Sequence, residues 1–186
     1  MAAGNTSCTD ALYVDESKKS DYLLIAVSVP QQHLSRIKKV LKSLLLPGQK
    51  RIHMKNEKDS RRQMIIRNIL THMPRDFRVT VYCCPKNAGY KQIKMRKLCI
   101  ENMAWHQKDS TSTIILESDA TMDRQDKQQL YNLFSNMQNP VPRYMHKRAE
   151  EDILLCLPDI IGWCIQRGGD WRQRIQVLPI EFRKVC

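Results

Sequence analysis

Residues 11–29 read Ala-Leu-Tyr-Val-Asp-Glu-Ser-Lys-Lys-Ser-Asp-Tyr-Leu-Leu-Ile-Ala-Val-Ser-Val, two apolar runs with a short polar stretch between them. Both runs are rich in strand formers. The connection, Lys18 to Asp21, is too short for anything but a turn, so the segment predicts an antiparallel hairpin. The first run ends in acids. By the two-residue period of a strand, Tyr13, Asp15 and Ser17 share one face, while Val14 and Glu16 share the other. Pro30 closes the second run.

Outward from the hairpin, helical and strand patterns alternate. Leu34, Ile37, Val40, Leu41, Leu44 and Leu45 recur at helical spacing up to Pro47-Gly48. Arg51–Met54 predicts a short strand, and a helix capped by Asp59 or Ser60 then runs to about His72. Phe77–Cys83 alternates as a strand, and Lys91–His106 carries a helical apolar stripe. Thr113–Glu117 is a strand that again ends in acids. Helices are expected over Asp126–Met137 and Lys147–Arg167, the second stopped by Gly168-Gly169, with a short strand near Ile175–Ile180. The order predicts an α/β fold: a mixed β-sheet with an N-terminal antiparallel hairpin, flanked by helices. At 186 residues the chain is read as one domain over 11–186, after a disordered lead over 1–10.

Charge narrows the function. The net charge is +12, and Arg36–Lys97 alone holds 18 Lys/Arg against 3 Asp/Glu. A block so uncompensated favours a polyanion, RNA or DNA, over a merely solvated face. Aromatic residues are only 6% of the chain, so backbone or shape recognition is expected ahead of extensive base stacking. No apolar run nears the ~18 residues that cross a membrane, and Met1–Thr9 lacks the organisation of a signal peptide, so a cytoplasmic location is expected. The seven cysteines show no zinc spacing, and Cys83-Cys84 is read as plain packing.

Three carboxylates carry the chemistry. Asp15 and Glu117 end apolar strands. Asp159 lies within Ile153-Leu-Leu-Cys-Leu-Pro-Asp-Ile-Ile-Gly-Trp163, which is apolar around its circumference and therefore buried. A carboxylate there should be paired, hydrogen-bonded or metal-bound. Asp119, two residues past Glu117, is a possible auxiliary. So is Glu151, near Asp152, which a continuous helix would place on the face of Asp159. Pro158 is expected to bend that helix. Two strand-end acids and one helix acid in a basic protein suit a pair of Mg2+ or Mn2+ sites. Among the histidines, His53 beside Lys55 and Glu57 is a candidate for a role at the substrate, against the plain reading of a satisfied polar residue.

Tyr13-Val-Asp-Glu-Ser17 resembles the opening strand, Tyr-x-Asp-Glu-Ser-Gly, of a ribonuclease-H-like family of unknown function (DUF3800). Glu151 to Trp163 resembles its closing helix, and Gly168-Gly-Asp-Trp-Arg172 resembles the segment after that helix in one branch; Ile52-His-Met-Lys55 with Arg61-Arg62 also matches. The resemblance implies a ribonuclease-H-like fold with catalytic metal ligands at Asp15, Glu117 and Asp159, and Asp119 and Glu151 as auxiliaries. The glycine after Ser17 is replaced by Lys18, a cation placed to pair with a carboxylate. The expected activity is metal-dependent phosphodiester hydrolysis, with Lys18, His53, Lys55, Arg61, Arg62, Lys94 and Lys97 on the nucleic acid and a homodimer as one way to lengthen the basic surface. The alternatives are an inactive nucleic-acid-binding module of the same fold, and an adaptor whose basic face docks an acidic protein.

Overall fold

The computed structural model describes residues 10–108, 111–136 and 142–186, so the expected lead over 1–9 lies outside the described residues. Asp10 is not part of a lead; it opens the first strand, where its carboxylate accepts from Ser28 Oγ at 2.7 Å. Strand β1 (Asp10–Ser17) pairs antiparallel with β2 (Tyr22–Pro30), Ser17 opposite Leu23, as the hairpin required. Every residue of β2 is buried, which is why its sequence is a continuous apolar run: helices cover both faces. β3 (Arg78–Cys84) continues antiparallel on β2, while β4 (Thr111–Glu117) lies parallel to β1. β5 (Arg143–Lys147) and β6 (Ile180–Lys184) add parallel edges, giving the order β5-β4-β1-β2-β3-β6.

Helices α1 (Leu34–Ser43), α2 (Asp59–His72) and α5 (Cys156–Arg167) bury Ile37, Leu41, Ile65 and Ile161 with Tyr13, Ile25, Val27 and Ile115 on one sheet face. Helices α3 (Gln92–Gln107) and α4 (Asp123–Ser135) bury Met103, Leu130 and Phe134 with Leu12, Val14, Leu24 and Leu116 on the other. A short α6 (Gly169–Arg174) follows Gly168, whose φ of +69° ends α5 in a conformation that glycine tolerates.

Several expectations are corrected. Arg51–Met54 is not a strand: Ile52 and Met54 are buried, but the backbone turns into a 3₁₀ turn at Met54–Asn56, and Ile52 N bonds Cys156 Sγ. The edge strand β5 is new, and the last strand falls at Ile180–Lys184, sharing only Ile180 with the expected 175–180. The helix expected from Lys147 begins only at Cys156, because Lys147 closes β5 and Asp152 turns the chain by accepting from Leu154 N. Asp152 and Asp159 thus share no helix, and Asp152 pairs instead with Lys38 at 3.2 Å. Pro158 lies not inside a long helix but in the first turn of α5, where a missing N–H costs nothing. The cap position of α2 is Lys58, with no side-chain capping bond. Cys84 does more than pack. It is disulfide-bonded to Cys186, 102 residues away, which the parallel pairing of β6 on β3 brings alongside.

One glycine sets how closely α5 lies on the sheet. A Cβ on Gly162 would stand 2.8 Å from Ile25 Cδ1 and 3.5 Å from Ser17 Cβ. Gly162→Leu is expected to lower stability by about 1–3 kcal/mol through overpacking. Gly162→Ala costs less, since the gain in helix propensity, about 1 kcal/mol, offsets the crowding. Urea unfolding of both variants checks this, and a neutral leucine would mean that α5 does not rest on β2.

Candidate active site

Register builds the site. Val14 lies opposite Leu116 in the parallel β1–β4 pair, so Asp15 and Glu117 are the next residues at adjacent strand ends. Tyr13 and Ile115 face α5, and the two-residue period sends Asp15 and Glu117 to that same face. Asp159 comes from the first turn of α5, which packs across β1 and β2. The three acids read from the sequence therefore converge. Burial, and after it the charges of Asp159 and Glu117, push the Asp15 carboxyl up to about 8.

Their hydrogen bonds differ. Asp15 Oδ1 accepts from Glu16 N at 2.7 Å. Asp159 accepts from Met54 N at 2.9 Å through Oδ2, while Oδ1 lies 3.2 Å from His53 Nδ1. That bond raises the His53 pKa. Glu117 Oε1 accepts from Arg51 at 3.1 Å and from Ala149 N at 3.3 Å, whereas its Oε2 is buried with no partner. Burial raises Glu117 too. Two cations thus already stand at the acids: Arg51 beside Glu117, and His53, when protonated, beside Asp159. Among the described residues, no three His, Cys, Asp or Glu side chains are drawn to a common point at liganding distance. The donor set still suits a divalent cation: three carboxylates converge, and the buried Oε2 of Glu117 has no partner of its own.

The auxiliaries separate. Asp119 lines a cleft of about 380 Å³ with Asp15, Glu16, Arg96 and Glu117. It accepts from Thr121 N and Oγ1, which holds its carboxyl below the usual range. Glu151 is not brought to the acids; its carboxylate caps its own turn through Arg148 N at 2.7 Å.

Of the cations named for nucleic acid, Lys18, His53, Lys55 and Arg62 line a second cleft of about 710 Å³ that includes Asp159. Lys18 pairs with Glu16, the carboxylate contact its position suggested. Arg61 is turned away, bonded to Glu57, the Leu44 carbonyl and Gln49. Lys94 and Lys97 are exposed on α3, across the sheet from that cleft. Sequence reasoning passed over Arg51, Lys19, Trp163, Gln166 and Arg167. Three of them had a signal, since Trp163, Gln166 and Arg167 come four, seven and eight residues after Asp159, one helical stripe. Gln166 ties the hairpin turn to α5: its Nε2 donates to the Ser17 and Asp21 carbonyls, and its Oε1 accepts from Ser20 N and Oγ.

On the opposite face, Arg96 donates to Asp126 at 2.6 Å and to Glu16 at 2.8 Å; Tyr22 OH also donates to Glu16, and His146 lies 3.2 Å from Asp126. Asp15 and Glu16, adjacent in sequence, serve different faces of one sheet.

Solved structures match this architecture. RNase HII of Archaeoglobus fulgidus, seen in complex with PCNA, superposes with a TM-score of 0.59 over 85% of this chain and 73% of its own, at 14% identity. The chain has an RNase H-type fold. Ribonuclease H2 from Pyrococcus horikoshii OT3 agrees over 86% of this chain and 72% of its own, with a TM-score of 0.57 and 9% identity. Bst-RNase HIII in complex with Mn2+ gives 0.53 over 88% of this chain at 16% identity, and the match spans 53% of that longer protein. No family model and no curated protein matches the sequence. The α/β mixed sheet with its opening hairpin, expected from residues 11–29, is therefore the observed fold. No helix among the described residues is long and apolar enough to cross a membrane.

Proposed function

We propose that this RNase H-type domain is a divalent-metal-dependent nuclease that cleaves phosphodiester bonds of RNA or DNA, and that it belongs with the DUF3800-like proteins its opening motif resembles. The convergence of Asp15, Glu117 and Asp159 from β1, β4 and α5 carries the reading, because it gathers acids whose charges oppose one another until a cation joins them. Mg2+ or Mn2+ held by these three, with Asp119 at the rim, would supply positive charge to the phosphate undergoing attack. The chain's own part is positioning. Met54 N and His53 fix the Asp159 carboxylate, and Arg51 with Ala149 N fixes Glu117. Lys18, Lys55 and Arg62 border the cleft beside them, where phosphates gain from the positive field.

A second reading, a binding module of this fold without turnover, draws on Arg51 and His53, which already offset the charge of Glu117 and Asp159. One assay separates the two. Single-stranded RNA, duplex RNA, hybrid and DNA are incubated with Mg2+, with Mn2+ and with chelator, beside Asp15→Asn and Asp159→Asn. The nuclease reading expects metal-dependent cleavage that falls about 100-fold or more in either variant, the size that losing a few kcal/mol of transition-state stabilisation gives. Binding that is equal in all three proteins, with no cleavage, would establish the module. A cytoplasmic location and a homodimer belong to the same proposal.

A further inference from the structure

The cleft beside Asp159 holds more than phosphate-binding cations. It is about 710 Å³, within the range of pockets that enclose small ligands. Exposed Lys19, Lys55 and Arg167 stand at its edge. One wall is flat and aromatic. The Arg62 guanidinium carbon lies 4.6 Å from the centroid of the Trp163 ring, and Trp171 meets that ring edge-on at 5.2 Å. Arg62 is held in plane on three sides: Nε donates to the Met54 carbonyl, one terminal nitrogen to Asp59 and the other to the Lys55 carbonyl. Donors so committed leave little for a phosphate. What the residue offers the cleft is a fixed planar surface backed by an indole.

We propose that the Arg62–Trp163 wall is a stacking subsite for the base of an unpaired nucleotide, so that the protein takes single-stranded nucleic acid, or a strand locally unstacked, at its carboxylates. The inference rests on the nuclease reading and deepens it. Trp163 lies one helical turn beyond Asp159 on the same side of α5, and such pairs have Cβ atoms about 5–6 Å apart. A base lying on the wall therefore leaves its own or the neighbouring phosphodiester beside Asp159, with the lysines around it to neutralise charge. A base within a duplex has both faces covered by its neighbours and has none to offer the wall; an unpaired base does. The guanidinium–indole pair is indifferent to base identity, because every base has a π face.

The test separates binding from cleavage by working in chelator. Anisotropy of a labelled short oligonucleotide is measured as a single strand and as a blunt duplex, with wild type, Trp163→Leu and Trp163→Phe. Trp163→Phe keeps an aromatic face and serves as the folding control beside thermal melts. The single strand is expected to bind at least about 10-fold tighter than the duplex, Trp163→Leu to lose about 10-fold on the single strand and nothing on the duplex, and Trp163→Phe to stay within a few-fold. AMP, but not ribose 5-phosphate, is expected to quench the tryptophan fluorescence of the wild type, a readout that needs no variant. Equal affinity for both forms, or a Trp163→Leu variant that binds the single strand like wild type, overturns the stacking subsite while leaving the nuclease reading standing. Failure of the wild type to bind any nucleic acid overturns both.

Discussion

Asp15→Asn is expected to make the protein more stable at neutral pH while abolishing the proposed cleavage. The folded-state pKa of Asp15 is raised from 3.8 to about 8, by burial and by Asp159 and Glu117. Between those values the folded chain keeps a proton that the unfolded chain has released, so the folded state binds more protons and stability falls as pH rises. Below about pH 4 both states are protonated and the penalty vanishes. Asparagine has the same shape and no charge to repel. Its advantage should be near zero at pH 4 and on the order of 2–4 kcal/mol at pH 7, at about 1.4 kcal/mol per pH unit. Urea unfolding of wild type and variant in chelator at the two pH values is the check. A gain that does not depend on pH would place the cause in packing, and no gain would mean that neither burial nor the neighbouring acids hold a proton on Asp15. Mg2+ should narrow the difference by stabilising only the wild type. A site that destabilises its own fold is the usual trade between chemistry and stability.

Arg96→Met should have an effect of opposite sign and similar size. Arg96 and Asp126 are 5% and 1% exposed, and Arg96 also holds Glu16 at 2.8 Å. Methionine fills much of the volume but takes the guanidinium from two carboxylates, leaving Asp126 with His146 and Glu16 with Tyr22 and Lys18, and removing one partner of a buried pair costs about 3–5 kcal/mol. For a chain of this size that is a fall in Tm on the order of 10 °C. Adding Asp126→Leu should recover part of the loss, because the stranded charge goes with it, and a double-mutant cycle measures the coupling. Additive losses would show that Arg96 and Asp126 do not depend on each other.

The hairpin and the strand-end acids were legible because they rest on a period of two, which needs no tertiary information. Asp159 was legible by exclusion, an acid in a stretch with no other polar side. What the sequence hid was everything set by loops. Arg51 and His53 reach Glu117 and Asp159 from the irregular segment between α1 and α2, where no period says which way a side chain points. β5, Arg-Tyr-Met-His-Lys, is a half-exposed edge and has no apolar run to announce it. Asp152 was misplaced because a pattern apolar all round hides where a helix starts. The basic block over 36–97 is one run in sequence and two surfaces in space, with α1 and α2 on one sheet face and α3 on the other. Counting charge could not divide it, which is why Lys94 and Lys97 were grouped with Arg62.

The back-to-back placement of Asp15 and Glu16 also guards assembly. If β1 slipped by one residue against its neighbours, Glu16 would turn toward Asp159 and Asp15 toward Arg96, and Leu12 and Tyr13 would exchange cores with them. Arg96 would lose its bond to Glu16, and Asp159 and Glu117 would lose Asp15 from beside them. A misaligned chain would forfeit its acid cluster and its buried ion network in one step, so charge on both sides of the sheet fixes the alignment of one strand.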